Sequence, residues 1–176
     1  MNYAEVDKSI EEKIMPAGSA TLLYIGDVSL KNVNFNGDIK SDSDVKVKYM
    51  IQASPAMAES GELISVDSIS NSVMNSLILS TLNDVKSIII PFIGGKIFYG
   101  KLLEHQKNLG IEHDKLSHAK LLIKGVEDYF NYIRANNIPH KIMEIIFCPY
   151  GYEEKEGLQK AIDDVKSRMS INIIKV

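Results

Sequence analysis

Helical stripes alternate with short apolar runs through the second half of the chain, and this alternation limits the fold more than any other feature. Val66, Ile69, Val73, Leu77 and Thr81 recur at three- and four-residue spacing, which puts them on one face of a helix over about 67–82. Asn83-Asp84 ends it. The run Ser87 to Pro91 (SIIIP) follows, apolar on both faces as a central strand flanked by helices should be. A second stripe, Ala119, Leu122, Ile123, Val126, Phe130 and Ile133, implies a long helix capped by Ser117 and stopped by Asn136-Asn137 and Pro139. Ile142 to Phe147 is another apolar strand. Leu158, Ile162, Val165 and Met169 share one side of a helix over 153–169, and Ile171 to Val176 reads as a terminal edge strand. This order implies an α/β fold, a mostly parallel sheet covered by helices and joined by right-handed crossovers.

The first half carries weaker signals. Ser9 to Met15 can form a short helix ended by Pro16-Ala-Gly18. Ala20 to Ile25 reads as a strand ended by Gly26-Asp27. Val33, Phe35 and Ile39 alternate around Asn36-Gly37, a hairpin signal within Lys31 to Lys40. Val45 to Ala53 is a further strand, and Ser54 to Gly61 a loop.

The totals exclude several classes. With 176 residues, 45% hydrophobic and 24% charged, the chain can bury the core of one domain and is not expected to be disordered. A net charge of −3 does not recruit nucleic acid over the whole surface. No apolar run reaches the ~18 residues of a membrane span. The N-terminal MNYAEVDKSIEEK lacks the apolar core of a signal peptide, so a cytoplasmic location is expected. The lone Cys148 ends an apolar run, where a buried structural thiol is the expectation.

In open α/β sheets ligands bind beyond the carboxyl ends of the strands. Two loops leave such ends here, Phe92 to Gly100 and Pro149 to Glu153; if their strands are neighbours, they border one crevice. Gly94 and Gly95 lack side chains, and a run of their N–H groups makes an anion-binding concavity. Lys96 adds positive charge, and Phe98 and Tyr99 can close over a ligand. Phosphate suits this combination. On the glycine pattern alone the simpler reading has the advantage: a tight turn, with Ile97 and Phe98 in the core. His113 and His118 lie five apart at a helix entry, which suits a solvated helix start better than a metal site. Glu153-Glu154 reads as first-turn charge at a helix N-terminus.

The run from Tyr49 to Leu102 resembles the second half of a macro domain, the fold that binds ADP-ribose and related nucleotide diphosphates. The resemblance rests on Lys48-Tyr-Met-Ile-Gln-Ala-Ser-Pro55, the helix with Asn75-Ser-Leu77, Lys86-Ser-Ile-Ile-Ile-Pro91 and Phe92-Ile-Gly-Gly-Lys-Ile-Phe98. The later elements follow in the family's order. The resemblance implies a three-layer α/β/α fold with a mixed, mostly parallel central sheet. It also implies one macro-like domain over residues 1–176, with 1–18 as an N-terminal extension.

The resemblance assigns the diphosphate and distal ribose to backbone N–H groups of Gly94, Gly95, Lys96, Ile97 and Phe98. It assigns the adenine amino group to Asp27, in the strand end Gly26-Asp27-Val28, with Gly37-Asp38-Ile39 a less well placed candidate. Tyr150 is either an adenine-stacking ring or a plain surface tyrosine. Lys96 departs from the glycine usual in the family: its side chain can add charge to the phosphates, or fill the pocket. The family's glycine-rich first loop has no counterpart, and only Val33-Asn-Phe-Asn36 is similar to its asparagine segment, where a hairpin turn is the better reading. Without that loop little positions an attacking water.

The expected function is therefore binding of ADP-ribose or a related nucleotide diphosphate, with little or no hydrolase activity. No catalytic residue, metal or cofactor is expected. The alternative is a degenerate macro-like domain acting as a protein- or RNA-interaction module. An ADP-ribosyl hydrolase with a rebuilt first loop, using Asn34 or Asn36, ranks third.

Overall fold

A computed structural model describes residues 18–30, 45–55, 66–95, 99–169 and 172–176. The expected hairpin around Asn36-Gly37 and the short helix from Ser9 lie outside these residues. Two units divide the chain, Thr21–Gln52 and the remainder.

In the smaller unit, strands β1 (Ser19–Leu30) and β2 (Val45–Ser54) pair into a two-stranded sheet that begins and ends just beyond it. Tyr24 and Tyr49 meet across it with ring centroids 5.5 Å apart. β1 does not stop at Gly26-Asp27 as its turn residues suggest, because pairing with β2 carries it on to Leu30.

The larger unit begins with helix α1 (Val66–Leu82), then β3 (Ser87–Pro91), α2 (Tyr99–Asn108), α3 (Lys115–Ala135), β4 (Glu144–Cys148), α4 (Tyr152–Met169) and β5 (Ile174–Lys175). The strands form a parallel sheet in the order β3-β4-β5. Ser87 is in register with Glu144, Pro91 with Cys148, and Ile145 with Ile174. Within this sheet β4 holds the centre. Among the described residues SIIIP stands at one end of this sheet. Ile90 is buried but Ile89 is 52% exposed.

Three helical stripes supply the core. Ile69, Val73 and Leu77 of α1, Leu122, Ile123, Val126 and Tyr129 of α3, and Leu158, Ile162 and Val165 of α4 are all buried, with Ile145 and Phe147 of β4. Burying each large apolar side chain contributes about 1.5–3 kcal/mol. α1 and α3 pack with backbones in near contact: a Cβ at Gly125 would lie 2.4 Å from the Ser70 carbonyl oxygen and 2.7 Å from Val73 Cβ. Three of the buried hydroxyls of α1 bond back along the helix, Ser72 to the Ser68 carbonyl, Ser76 to that of Ser72 and Ser80 to that of Ser76. Each is thereby satisfied without a partner on another element.

Two helix starts differ from expectation. α3 begins at Lys115 with Asp114 as its cap, and Ser117 is inside the helix donating its N–H to Asp114 Oδ1 at 2.7 Å. That bond also holds the Asp114 carboxyl below its ordinary range. α2 falls where a loop is expected. Among its described side chains only Leu102 and Gln106 are buried, a pair four apart and too brief to register as a stripe.

Candidate functional site

β3 and β4 are parallel neighbours, so their carboxyl ends emerge side by side. Phe92 N–H donates to the Cys148 carbonyl at 3.2 Å, which brings the starts of the two following loops together. Gly94 and Gly95 lie in one loop and Tyr150 in the other.

The first loop turns at once. Gly95 N–H closes back on the Phe92 carbonyl at 3.1 Å, and Gly94 takes φ +75°, the left-handed conformation that glycine adopts freely. His118 holds this turn: its Nε2 lies 2.7 Å from the Ile93 carbonyl oxygen. A carbonyl only accepts, so Nε2 carries the proton. Nδ1 is then the acceptor for His113 Nε2 at 3.3 Å. The His118 ring stacks on Phe92 at 4.9 Å and meets Tyr99 edge-on at 5.5 Å. Burial depresses His118 to a pKa of about 4, so it is neutral at ordinary pH. His113 is lowered by burial as well, against the opposing pull of Asp114.

This anchor decides which way the next peptide faces. In a trans peptide the N–H points opposite to its carbonyl. With the Ile93 carbonyl held against α3, the Gly94 N–H is turned away from that helix, and it has no acceptor among the described residues.

The second loop is held by Glu154, in the first turn of α4. Its Oε2 accepts the Tyr150 N–H at 2.7 Å, and its Oε1 meets Lys115 Nζ at 3.0 Å. Lys115 Nζ also donates to the Gly95 carbonyl at 3.0 Å and lies 3.9 Å from the Tyr99 ring centroid. Glu154 is only 6% exposed, and its carboxylate is matched by hydrogen bonds on both oxygens, while Lys115 is partly exposed.

The sequence candidates divide as follows. Gly94 and Gly95 lie in the turn, and Tyr150, a residue 58% exposed, begins the neighbouring loop. Lys96, Ile97 and Phe98 lie outside the described residues. Asp27 and Val28 belong to β1 of the smaller unit, and their side chains lie outside the described set.

Two expectations are corrected. Cys148 is exposed, because strand alternation puts Ile145 and Phe147 on the buried face of β4 and Cys148 on the other. His118 is no solvated helix start. It is fully buried, four residues before Leu122 and so on the same stripe. That spacing was the available signal for it. Lys115 and Glu154 had none, since their pairing joins residues 39 apart in sequence. Among the described residues no group of three or more His, Cys, Asp or Glu side chains is placed to hold a metal ion. No helix among them is long and apolar enough to cross a membrane.

No family model and no curated protein matches this sequence. In structure the chain is similar to a glycine-to-valine variant of the Oceanobacillus iheyensis macrodomain, solved with ADPR. The TM-score is 0.57 at 10% identity, over 93% of this chain and 68% of that one. An aspartate-to-alanine variant of the same macrodomain gives a TM-score of 0.56 at 9% identity, over 94% and 69% of the two chains. The fold is thus the α/β fold of a macrodomain, reached by a highly divergent sequence.

Proposed function

We propose that this chain is a binding module for ADP-ribose or a related nucleotide diphosphate, with little or no hydrolytic activity. The observation that carries the reading is the Gly94 N–H, turned away from α3 at the carboxyl ends of two parallel strands and without an acceptor among the described residues. A backbone donor at a left-handed turn is a natural partner for phosphate oxygen. Lys96 follows two residues on, and Tyr150, an exposed aromatic residue of the kind that stacks on a base, begins the neighbouring loop. The similar macrodomain solved with ADPR gives the ligand class its first candidate. The proposal rests on the larger unit alone.

The reading of weak or absent hydrolysis is supported by how two titratable groups beside the turn are engaged. His118 donates to the Ile93 carbonyl, and Glu154 accepts from Lys115 and Tyr150. Neither is free to activate a water. A cytoplasmic setting, which keeps thiols reduced, suits the exposed Cys148.

Calorimetric titration with ADP-ribose tests the reading, on the wild type and on Gly94→Val. A β-branched residue at φ +75° strains the turn, and its Cβ would lie 3.4 Å from His118. Saturable binding lost in the variant is the expected result. No heat at millimolar ligand, which bounds binding at about 4 kcal/mol, overturns the nucleotide reading and favours an interaction module for protein or RNA.

A further inference from the structure

We propose that Lys115 is the positioning residue of this site, coupling its two loops so that a ligand meets them as one preformed surface; the role in binding rests on the nucleotide reading above. The ammonium has three donors. One goes to the Gly95 carbonyl of the glycine turn and one to Glu154 Oε1, both at 3.0 Å. The other carboxylate oxygen of Glu154 takes the Tyr150 N–H at 2.7 Å. A continuous chain of charge-assisted bonds therefore runs from the loop after β3 to the loop after β4 through a single side chain. The ring of Tyr99, at the start of α2, packs against the ammonium at 3.9 Å and ties in a third element.

A part-buried ion pair needs further polar partners to offset desolvation, and those partners could all lie within the helices that carry it. Here each member spends a second polar contact on a loop backbone, one at Gly95 and one at Tyr150. A ligand spanning the two loops would otherwise have to order both on binding, and holding them beforehand removes that cost. The arrangement also separates two jobs. His118 sets the orientation of the peptide at Gly94, while Lys115 sets where the glycine turn stands relative to the Tyr150 loop.

The test uses the full chain, with amide spectra and ADP-ribose titration of the wild type, Lys115→Met, Lys115→Arg and the double variant Lys115→Met/Glu154→Gln. In Lys115→Met the Gly95 and Tyr150 amide resonances should shift together and exchange with solvent about tenfold faster, while those of Ile123 and Ile145 in the core hold. Affinity for ADP-ribose should fall by about tenfold or more, and Lys115→Arg should restore most of it. Should Lys115→Met leave Glu154 too poorly paired for folding, the double variant removes both charges and keeps an amide acceptor for the Tyr150 N–H. There the Gly95 amide should move and the Tyr150 amide stay. Unchanged Gly95 and Tyr150 amides in the folded variants overturn the coupling, as does an affinity that survives the loss of it. A wild type that binds no ADP-ribose defeats the nucleotide reading instead, and the amide spectra still decide the coupling.

Discussion

His118 Nε2 donates to the Ile93 carbonyl over 2.7 Å, so a side chain near the start of α3 fixes the turn that follows β3. The bond needs a proton only on Nε2, and burial keeps the ring neutral with a pKa of about 4. The unfolded chain would take up a proton near the ordinary value of 6.5, whereas the folded protein resists until about 4. The unfolded state thus binds more protons in that window. Stability is complete above pH 6.5 and falls as the pH drops toward 4, by up to about 3 kcal/mol. His113, also lowered by burial, acts in the same direction. Urea unfolding across this range should show the loss, and His118→Gln should flatten it. A wild-type midpoint that stays level from pH 6.5 to 4 counts against a neutral buried His118.

Gly125 lies where α1 and α3 nearly touch. A methyl group there meets the Ser70 carbonyl oxygen at 2.4 Å, and both contacting backbones are helical and cannot yield cheaply. Gly125→Ala should lower stability by about 1–3 kcal/mol despite alanine's better helix propensity. Thermal melting reads this directly. A variant as stable as the wild type would mean that the two helices stand further apart.

Tyr129 is buried and shares a 2.7 Å hydrogen bond with Thr81 Oγ1, linking α3 to α1. Thr81 also bonds back to the Leu77 carbonyl, so Tyr129→Phe leaves its hydroxyl partnered. The loss should therefore be modest, about 1 kcal/mol. Desolvation raises the Tyr129 phenol above its ordinary pKa, and the ultraviolet titration of the wild type should lose one late-ionising tyrosine in the variant.

Cys148 should react with a water-soluble thiol reagent in the folded protein, since its residue is exposed at the end of β4. Labelling to one equivalent without denaturant is the expected outcome. A requirement for unfolding would return the thiol to the interior.

The stripes of α1, α3 and α4 are legible because each repeats over about three turns or more and most of their members lie in one core. SIIIP and IIFC were legible as strands by their apolar runs. Their environments were not. Composition makes Ile88, Ile89 and Ile90 equivalent; alternation puts Ile89 on the face opposite Ile90, and only tertiary packing decides that the Ile90 face is the covered one. Cys148 was misjudged because its apolar neighbours hid the two-residue alternation that governs which face each side chain takes.

The α/β class, the places of the main helices and the glycine turn depend on residues close together in the chain, and so can be read from it directly. Hydrophobic period and glycine's backbone freedom act locally. The wiring of the candidate site, by contrast, arises from contacts between distant parts of the chain. His118 reaches Ile93 across 25 residues, Lys115 reaches Gly95 across 20, and Glu154 reaches Lys115 across 39. Hydrogen bonds and ion pairs act over about 3 Å, so their partners are set by which strand ends and helix starts the sheet brings together.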